Sequence, residues 1–423
     1  MSDLIPLKIF IRPERRFVAG ERPTELVVLV RLVPAPLALV DEARLNLGIV
    51  LDCGGSMGGD RLEAAKEAMR GLVDELHPED RLAVVTGGDF VDAVVPSTLV
   101  SDRRALKQQI QAITPSGLAT LRPAWFGGAW EVSQHLDRAR VNRVVIITDG
   151  MANTGTSSPD QVIELARGLF RRGISTSVLG IGDRFEEDVL VPLAVQGGGN
   201  AAYVEDVRTL GADLLAEARG ARQLFSEWST MRFDMQDAEV MDVLNEFPWV
   251  GERKVHLPPL YGDTPLNIVL RLRLRPGAAG QEINPLTIRV KTLDMEAKQA
   301  IVHRKRMKLH VVAPELADGM APDLGVQAQA ARLEFARMHQ KCVRKIDQGD
   351  LLGARQLLDF SMGRFQSLSG QSGGTLLTED LAGMATLRNR LELAEESARN
   401  RKFLRFSAVF AQRAGFYRPT SPS

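Results

Sequence analysis

The stretch LGIVLDCGGSMGGDRLEAAKEAM, Leu47–Met69, decides how the chain is read. Its first five residues carry no polar side chain, which suits a strand buried on both faces of a sheet. Glycines then crowd a turn at Gly54, Gly55, Gly58 and Gly59. From Asp60 onward Leu62, Ala65, Met69, Leu72 and Val73 recur at helical spacing, so a helix is expected over 60–76. A strand, a tight turn and a helix make the kind of corner where α/β proteins hold ligands. Asp52 ends the strand and Ser56 follows four residues later, while Gly54 between them is bare.

The same texture continues downstream. Apolar strand-like runs at 81–86, 142–150, 174–182 and 200–205 alternate with helical patterns at 102–113, 119–136, 159–173 and 186–199. Uniformly apolar strands between helices imply a mostly parallel, doubly wound sheet with helices on both faces. Outside this block the pattern changes. Two strand-like runs lie within 7–33, and four runs with period-two alternation lie within 226–312. The early strands need partners, so an α/β domain over 41–225 is expected to interrupt an antiparallel β-sandwich made of 1–40 and 226–312. A helical C-terminal domain is expected over 318–423, with a helical hairpin, a long helix from about 379 to 410 and a disordered tail, YRPTSPS.

Composition narrows the function classes. Of 423 residues, 53 are Lys or Arg and 53 are Asp or Glu, a zero formal net charge that argues against a dedicated nucleic-acid or anionic-membrane binder. The basic runs HRKRMK (303–308) and ARNRKFLRF (398–406) are read as solvated faces of a strand and a helix. Two cysteines, Cys53 and Cys342, stand in no metal-ligand spacing and make no disulfide framework. No signal-peptide pattern opens the sequence and no apolar run has the length of a bilayer span. A soluble, cytoplasmic protein is the expectation.

Four polar residues stand where loops leave the carboxyl edge of the expected sheet: Asp52, Ser56, Thr120 and Asp149. Two carboxylates with two hydroxyls form an oxygen-only set suited to Mg²⁺ or Mn²⁺. Each Asp alone would be read as a helix cap. CGGSMGG lacks the G-K-[ST] ending of a phosphate loop, and TGGDF (86–90) is read as a strand-to-loop turn. Cys53 beside the site is read as a small apolar filler.

The order and spacing of these residues resemble the von Willebrand factor A domain, in its bacterial multi-domain type, with its metal-ion-dependent adhesion site. That family carries D-x-S-x-S after the first strand, a threonine in a second loop and an aspartate in a TDG after a central strand. The resemblance covers roughly 44–220 and extends to DRLAVV, GISTSVLGIGDRFEEDVLVPLA and GGGNAAYVED. It implies that Asp52, Ser56, Thr120 and Asp149 hold Mg²⁺ or Mn²⁺ directly or through water, leaving a position open for an Asp or Glu of a partner protein. The departure is Gly54, which stands where the first serine of D-x-S-x-S belongs. Asp89 and Asp183 fall on no family metal position. The resemblance further implies an intracellular adaptor or scaffold that is not an enzyme, in some members working with AAA+ ATPases or proteases. Two other readings stay open. One is a metal-free assembly protein associating through its sandwich or helices. The other is a metal-dependent hydrolase, which would need a general base near the site; His77 and His135 are the nearest in sequence, both in helix-end contexts.

Overall fold

A computed structural model describes residues 7–35, 43–117, 120–137, 139–150, 158–226, 228–262, 264–293, 300–374 and 377–392. The YRPTSPS tail and the expected helix beyond 392 lie outside these residues. The chain divides near residues 36 and 224 into two compact units.

The chain begins with β1 (Leu7–Pro13), β2 (Phe17–Ala19) and β3 (Thr24–Pro34), which belong to the discontinuous unit. It then builds the continuous α/β unit from β4 (Arg44–Asp52), α1 (Asp60–Glu75), β5 (Arg81–Gly87), β6 (Val91–Leu99), α2 (Arg103–Gln111), α3 (Leu121–Ser133) and β7 (Arg140–Thr148). The unit is completed by α4 (Pro159–Arg171), β8 (Ser175–Ile181), α5 (Glu187–Gln196), β9 (Gly198–Val204) and α6 (Leu210–Arg222). The six strands lie in the order β6-β5-β4-β7-β8-β9, parallel except for β6. From β4 the chain first winds toward β5 and then returns to place β7 on the other side. The β4/β7 seam is thus the topological switch point, the place where such sheets open a crevice at their carboxyl ends.

Central strands are buried along nearly their whole length, as their apolar runs require; Arg44, Arg81 and Arg140, the first residues of β4, β5 and β7, are half-buried. Helix α3 comes unusually close to the sheet because two glycines meet there. A Cβ on Gly48 would lie 2.9 Å from a Val132 methyl, and one on Gly128 would lie 2.5 Å from a Val50 methyl. Two elements of this unit go unread in the sequence. Edge strand β6 buries few of its residues, so little apolar alternation marks it. Helix α6 buries Asp213, Glu217 and Arg222 along with Leu210, Leu214 and Ala218, and those charges break its apolar period.

Beyond α6 come β10 (Leu224–Ser226), β11 (Ser229–Met235), β12 (Ala238–Val243), β13 (Trp249–Gly251), β14 (Lys254–Leu257), β15 (Leu260–Tyr261), β16 (Leu266–Leu274), β17 (Glu282–Leu293) and β18 (Ala300–Val312). One sheet runs β1-β3-β16-β12 and a second β13-β14-β11-β17-β18-β2, while β10 and β15 form a short ribbon. Alternate residues from both sheets, including Val28, Val30, Leu270, Phe233 and Ile288, make one core, the expected sandwich. Pairing is antiparallel except that β2 joins β18 in parallel.

Among the described residues four helices follow: α7 (Pro314–Asp318), α8 (Leu324–Asp347), α9 (Leu351–Gln371) and α10 (Thr378–Glu392). The helices expected to form a domain of their own instead continue the sandwich unit. Val326, Ala330 and Leu333 of α8 bury Leu29 of β3, Leu244 and Val269 of β16. Those residues give the outer face of this sheet an apolar stripe, which would be exposed without α8. Arg337 of α8 adds an ion pair to Asp242 at 2.7 Å.

Candidate binding site at the carboxyl edge of the α/β sheet

Register alone brings two of the four expected residues together. Leu51 of β4 lies beside Ile147 of β7, so Asp52 and the Thr148–Asp149 pair leave the sheet side by side. Both aspartates are fully buried. The Thr148 hydroxyl donates to Asp52 Oδ2 at 2.7 Å, and the Gly54 N–H donates to Oδ1 at 2.8 Å. Burial pushes the Asp52 carboxyl above the ordinary carboxylate value. The two hydrogen bonds oppose that shift, and the negative charge of Asp149 adds to it.

Ser56 sits in a single 3₁₀ turn, Gly55–Met57, and its hydroxyl donates to Asp149 Oδ1 at 2.7 Å. Asp52, Ser56 and Asp149 are therefore one constellation. Thr120 precedes the first residue of α3, where its hydroxyl donates to the Gly88 carbonyl at 2.9 Å rather than to either aspartate. Its loop is nonetheless tied to the same corner, since Ser116 N–H donates to the Cys53 carbonyl at 2.8 Å and Gly55 N–H to the Gly117 carbonyl at 3.0 Å. Residues 118–119 and 151–157, which flank Thr120 and follow Gly150, lie outside the described residues.

Gly54 has φ −55° and ψ 159°, a conformation open to any residue. Its missing side chain is thus a loss of a hydroxyl, not a demand of the backbone. Cys53 is buried and its thiol is pushed up to about 12, chiefly by desolvation and also by the Asp52 charge, as fits a filler and not a nucleophile. Asp183 accepts from the Tyr203 hydroxyl at 2.9 Å. His77 follows α1, and the His135 carbonyl accepts from Asn46 near the start of β4; both histidines lie toward the opposite edge of the sheet.

One residue of the site goes unread in the sequence. Arg61, in the first turn of α1, pairs with Asp149 Oδ2, and its Nη1 also donates to the Ser56 carbonyl at 3.2 Å. Nothing local in the sequence links residues 61 and 149; the link exists only once β4 and β7 are neighbours.

The donors fit a hard divalent cation in kind, being carboxylate and hydroxyl oxygens alone. They fit in charge as well: among the described residues Arg61 pairs with Asp149, while the hydrogen-bond partners of buried Asp52 are the neutral Thr148 hydroxyl and Gly54 N–H. They fall one hydroxyl short at Gly54.

Residues 46–217 match the model of the von Willebrand factor type A domain. A Synechocystis protein, sll0103, is 30% identical over 162 residues, which are 38% of this chain and 38% of its own length. Escherichia coli YfbK is 26% identical over 182 residues, 41% of this chain and 31% of its own length. The chain thus matches well under half of either relative. A von Willebrand factor type A structure from Catenulispora acidiphila superposes over 88% of each chain with a TM-score of 0.66 at 19% identity, a likeness of fold that reaches beyond the α/β unit. Residues 46–217 thus match the von Willebrand factor type A domain in sequence, and the fold is similar to that of a solved von Willebrand factor type A structure.

Proposed function

We propose that the chain is a non-enzymatic protein-binding adaptor or scaffold whose α/β unit grips an acidic side chain of a partner at the corner of Asp52, Ser56, Thr120 and Asp149. Domains of this family commonly mediate protein interactions. The observation that carries the reading here is the pair of fully buried carboxylates at the switch point with an exposed serine at its mouth. Buried charge of one sign is costly unless compensated, and a corner open to solvent on one side is where compensation can come from outside. Mg²⁺ or Mn²⁺ would be held by Asp52, Ser56 and Asp149, and by Thr120 once its hydroxyl leaves the Gly88 carbonyl. When bound, such an ion supplies a coordination position for a carboxylate. The chain's own residues orient the site: Thr148 and Gly54 fix both oxygens of Asp52, and Ser56 fixes one of Asp149.

The hydrolase reading draws no support from the histidines, which lie toward the other edge of the sheet. The metal-free assembly reading is favoured by Gly54 and by the Arg61 pair on Asp149. No helix among the described residues is long and apolar enough to cross a membrane. A cytoplasmic location, and an AAA+ ATPase or protease system as the partner, remain parts of the proposal. Calorimetric titration of the full chain with Mn²⁺ tests the core of it. Heat is expected from the wild type and none from Asp149→Ala of intact circular dichroism. A silent wild type, or equal heats, would overturn the cation-dependent reading.

A further inference from the structure

Arg61 is placed where helix electrostatics disfavour it. It is the second residue of α1, and the positive end of a helix dipole repels a cation. Asp60 and Glu63 in the same turn suit that position, and Glu63 pairs with Lys66 at 2.9 Å. Arg61 instead turns inward to a carboxylate that is fully buried, while its own side chain stays one-third exposed. A second feature of the fold accommodates it. Gly182, directly after β8, has φ +66°, and a Cβ there would lie 3.4 Å from Arg61 Nη2. The end of β8 therefore runs alongside the guanidinium, which is lodged between the ends of β7 and β8 and the 3₁₀ turn. The contact to the Ser56 carbonyl closes the third side.

We infer that Arg61 is the resident cation of this site, and that a divalent ion reaches Asp149 only by displacing it. This rests on the reading of the corner as a cation-dependent acid-binding site and specifies how that site is regulated. Asp149 Oδ2 is held by Arg61 and Oδ1 by Ser56, so both of its oxygens are engaged before any ion arrives. An ion must exchange the Arg61 contact for its own, and its apparent affinity falls by the fraction of molecules in which Arg61 is docked. The missing hydroxyl at Gly54 acts in the same direction, because the ion has fewer ligands with which to compete. Arg61 is suited to this role by its chemistry. A guanidinium carries a fixed charge and several donors in one plane, so it can hold Asp149 through one nitrogen and keep an edge toward solvent. The undocked arginine restores the unpaired charge on Asp149, which favours its return when the ion leaves.

The test is Mn²⁺ titration by calorimetry on full-length wild type, Arg61→Ala and Arg61→Lys, each paired with a thermal melt with and without Mn²⁺. Arg61→Ala is expected to bind Mn²⁺ at least about tenfold more tightly than wild type, and Arg61→Lys to fall between, since a lysine keeps the charge but loses the planar fork. The melting temperature of Arg61→Ala should rise more on adding Mn²⁺ than that of the wild type, because tighter binding to the folded state stabilises it more. That readout also holds if the variant is less stable without metal. Equal or weaker binding by Arg61→Ala, with a wild type that does bind, overturns the role of Arg61 and leaves the site itself standing. Absence of binding in all three proteins overturns both.

Discussion

The two edges of the α/β sheet use the same parts to opposite ends. Toward the amino edge, Asp80 is fully buried and takes N–H donors from Leu45 at 2.8 Å and His77 at 2.7 Å as well as the guanidinium of Arg222, itself only 9% exposed. On the same side of the fold, Glu217 of α6 pairs with Arg143 at 2.7 Å and accepts from Ser177 at 2.6 Å and Asn200 at 2.9 Å. Arg143 is 1% exposed, so this pair is sealed and every oxygen of Glu217 is used. At the carboxyl edge, Asp149 is as deeply buried, but its partners Arg61 and Ser56 reach solvent, and among the described residues Asp52 has no cation as a hydrogen-bond partner. A carboxylate with sealed partners fastens the fold. A carboxylate whose partners can rehydrate holds something that can be exchanged.

This contrast can be broken most directly at the sealed pair. Glu217→Ala removes the carboxylate from the buried Arg143 and Ser177 and should cost about 3–5 kcal/mol in urea denaturation. A loss under about 1 kcal/mol would show that the pair is not the fastening it is taken for. Next in size is Asp149→Ala. Its abandoned partners turn to solvent, so the stability change should stay within about 1 kcal/mol while Mn²⁺ heat disappears. A loss as large as that of Glu217→Ala would erase the difference between the edges.

Gly54→Ser sharpens the contrast from the other side. The backbone at this position admits serine, and a returned hydroxyl adds one oxygen ligand. Roughly tenfold tighter Mn²⁺ binding, about 1.4 kcal/mol, is expected by calorimetry. An unchanged constant would place the ion away from this turn. The smallest effect concerns Cys53. With a buried thiol pushed up to about 12, it should remain unlabelled by a thiol reagent at pH 8 in the native protein and react fully once unfolded. The thiol is protonated below its raised value, so reactivity should appear only as pH climbs toward it. Rapid native labelling at pH 8 would mean that the inner wall of the corner opens.

The α/β unit was legible because its central strands carry long apolar runs and most are followed by a helix with a clean face, as in Leu47–Met69. Legibility failed where burial and polarity part company. Strand β6 is barely buried, and α6 buries three charged residues that find partners from other elements. The place of α8 also escaped, because a helix that covers the back of a sheet looks in sequence like any amphipathic helix; only Leu29 and Val269, apolar on a face expected to be polar, could have pointed to it.

The sequence by itself determined the kind of domain, the strand-end aspartates Asp52 and Asp149 and the missing hydroxyl at Gly54, because these follow from local pattern and spacing. Only the tertiary structure decided that the two aspartates adjoin, that the hydroxyl of Thr120 turns to Gly88, and that Arg61 is the cation beside Asp149. The physical reason is that charge compensation is set by distance in space. Residues 61 and 149 are brought within an ion pair's reach by the order in which β4 and β7 join the sheet.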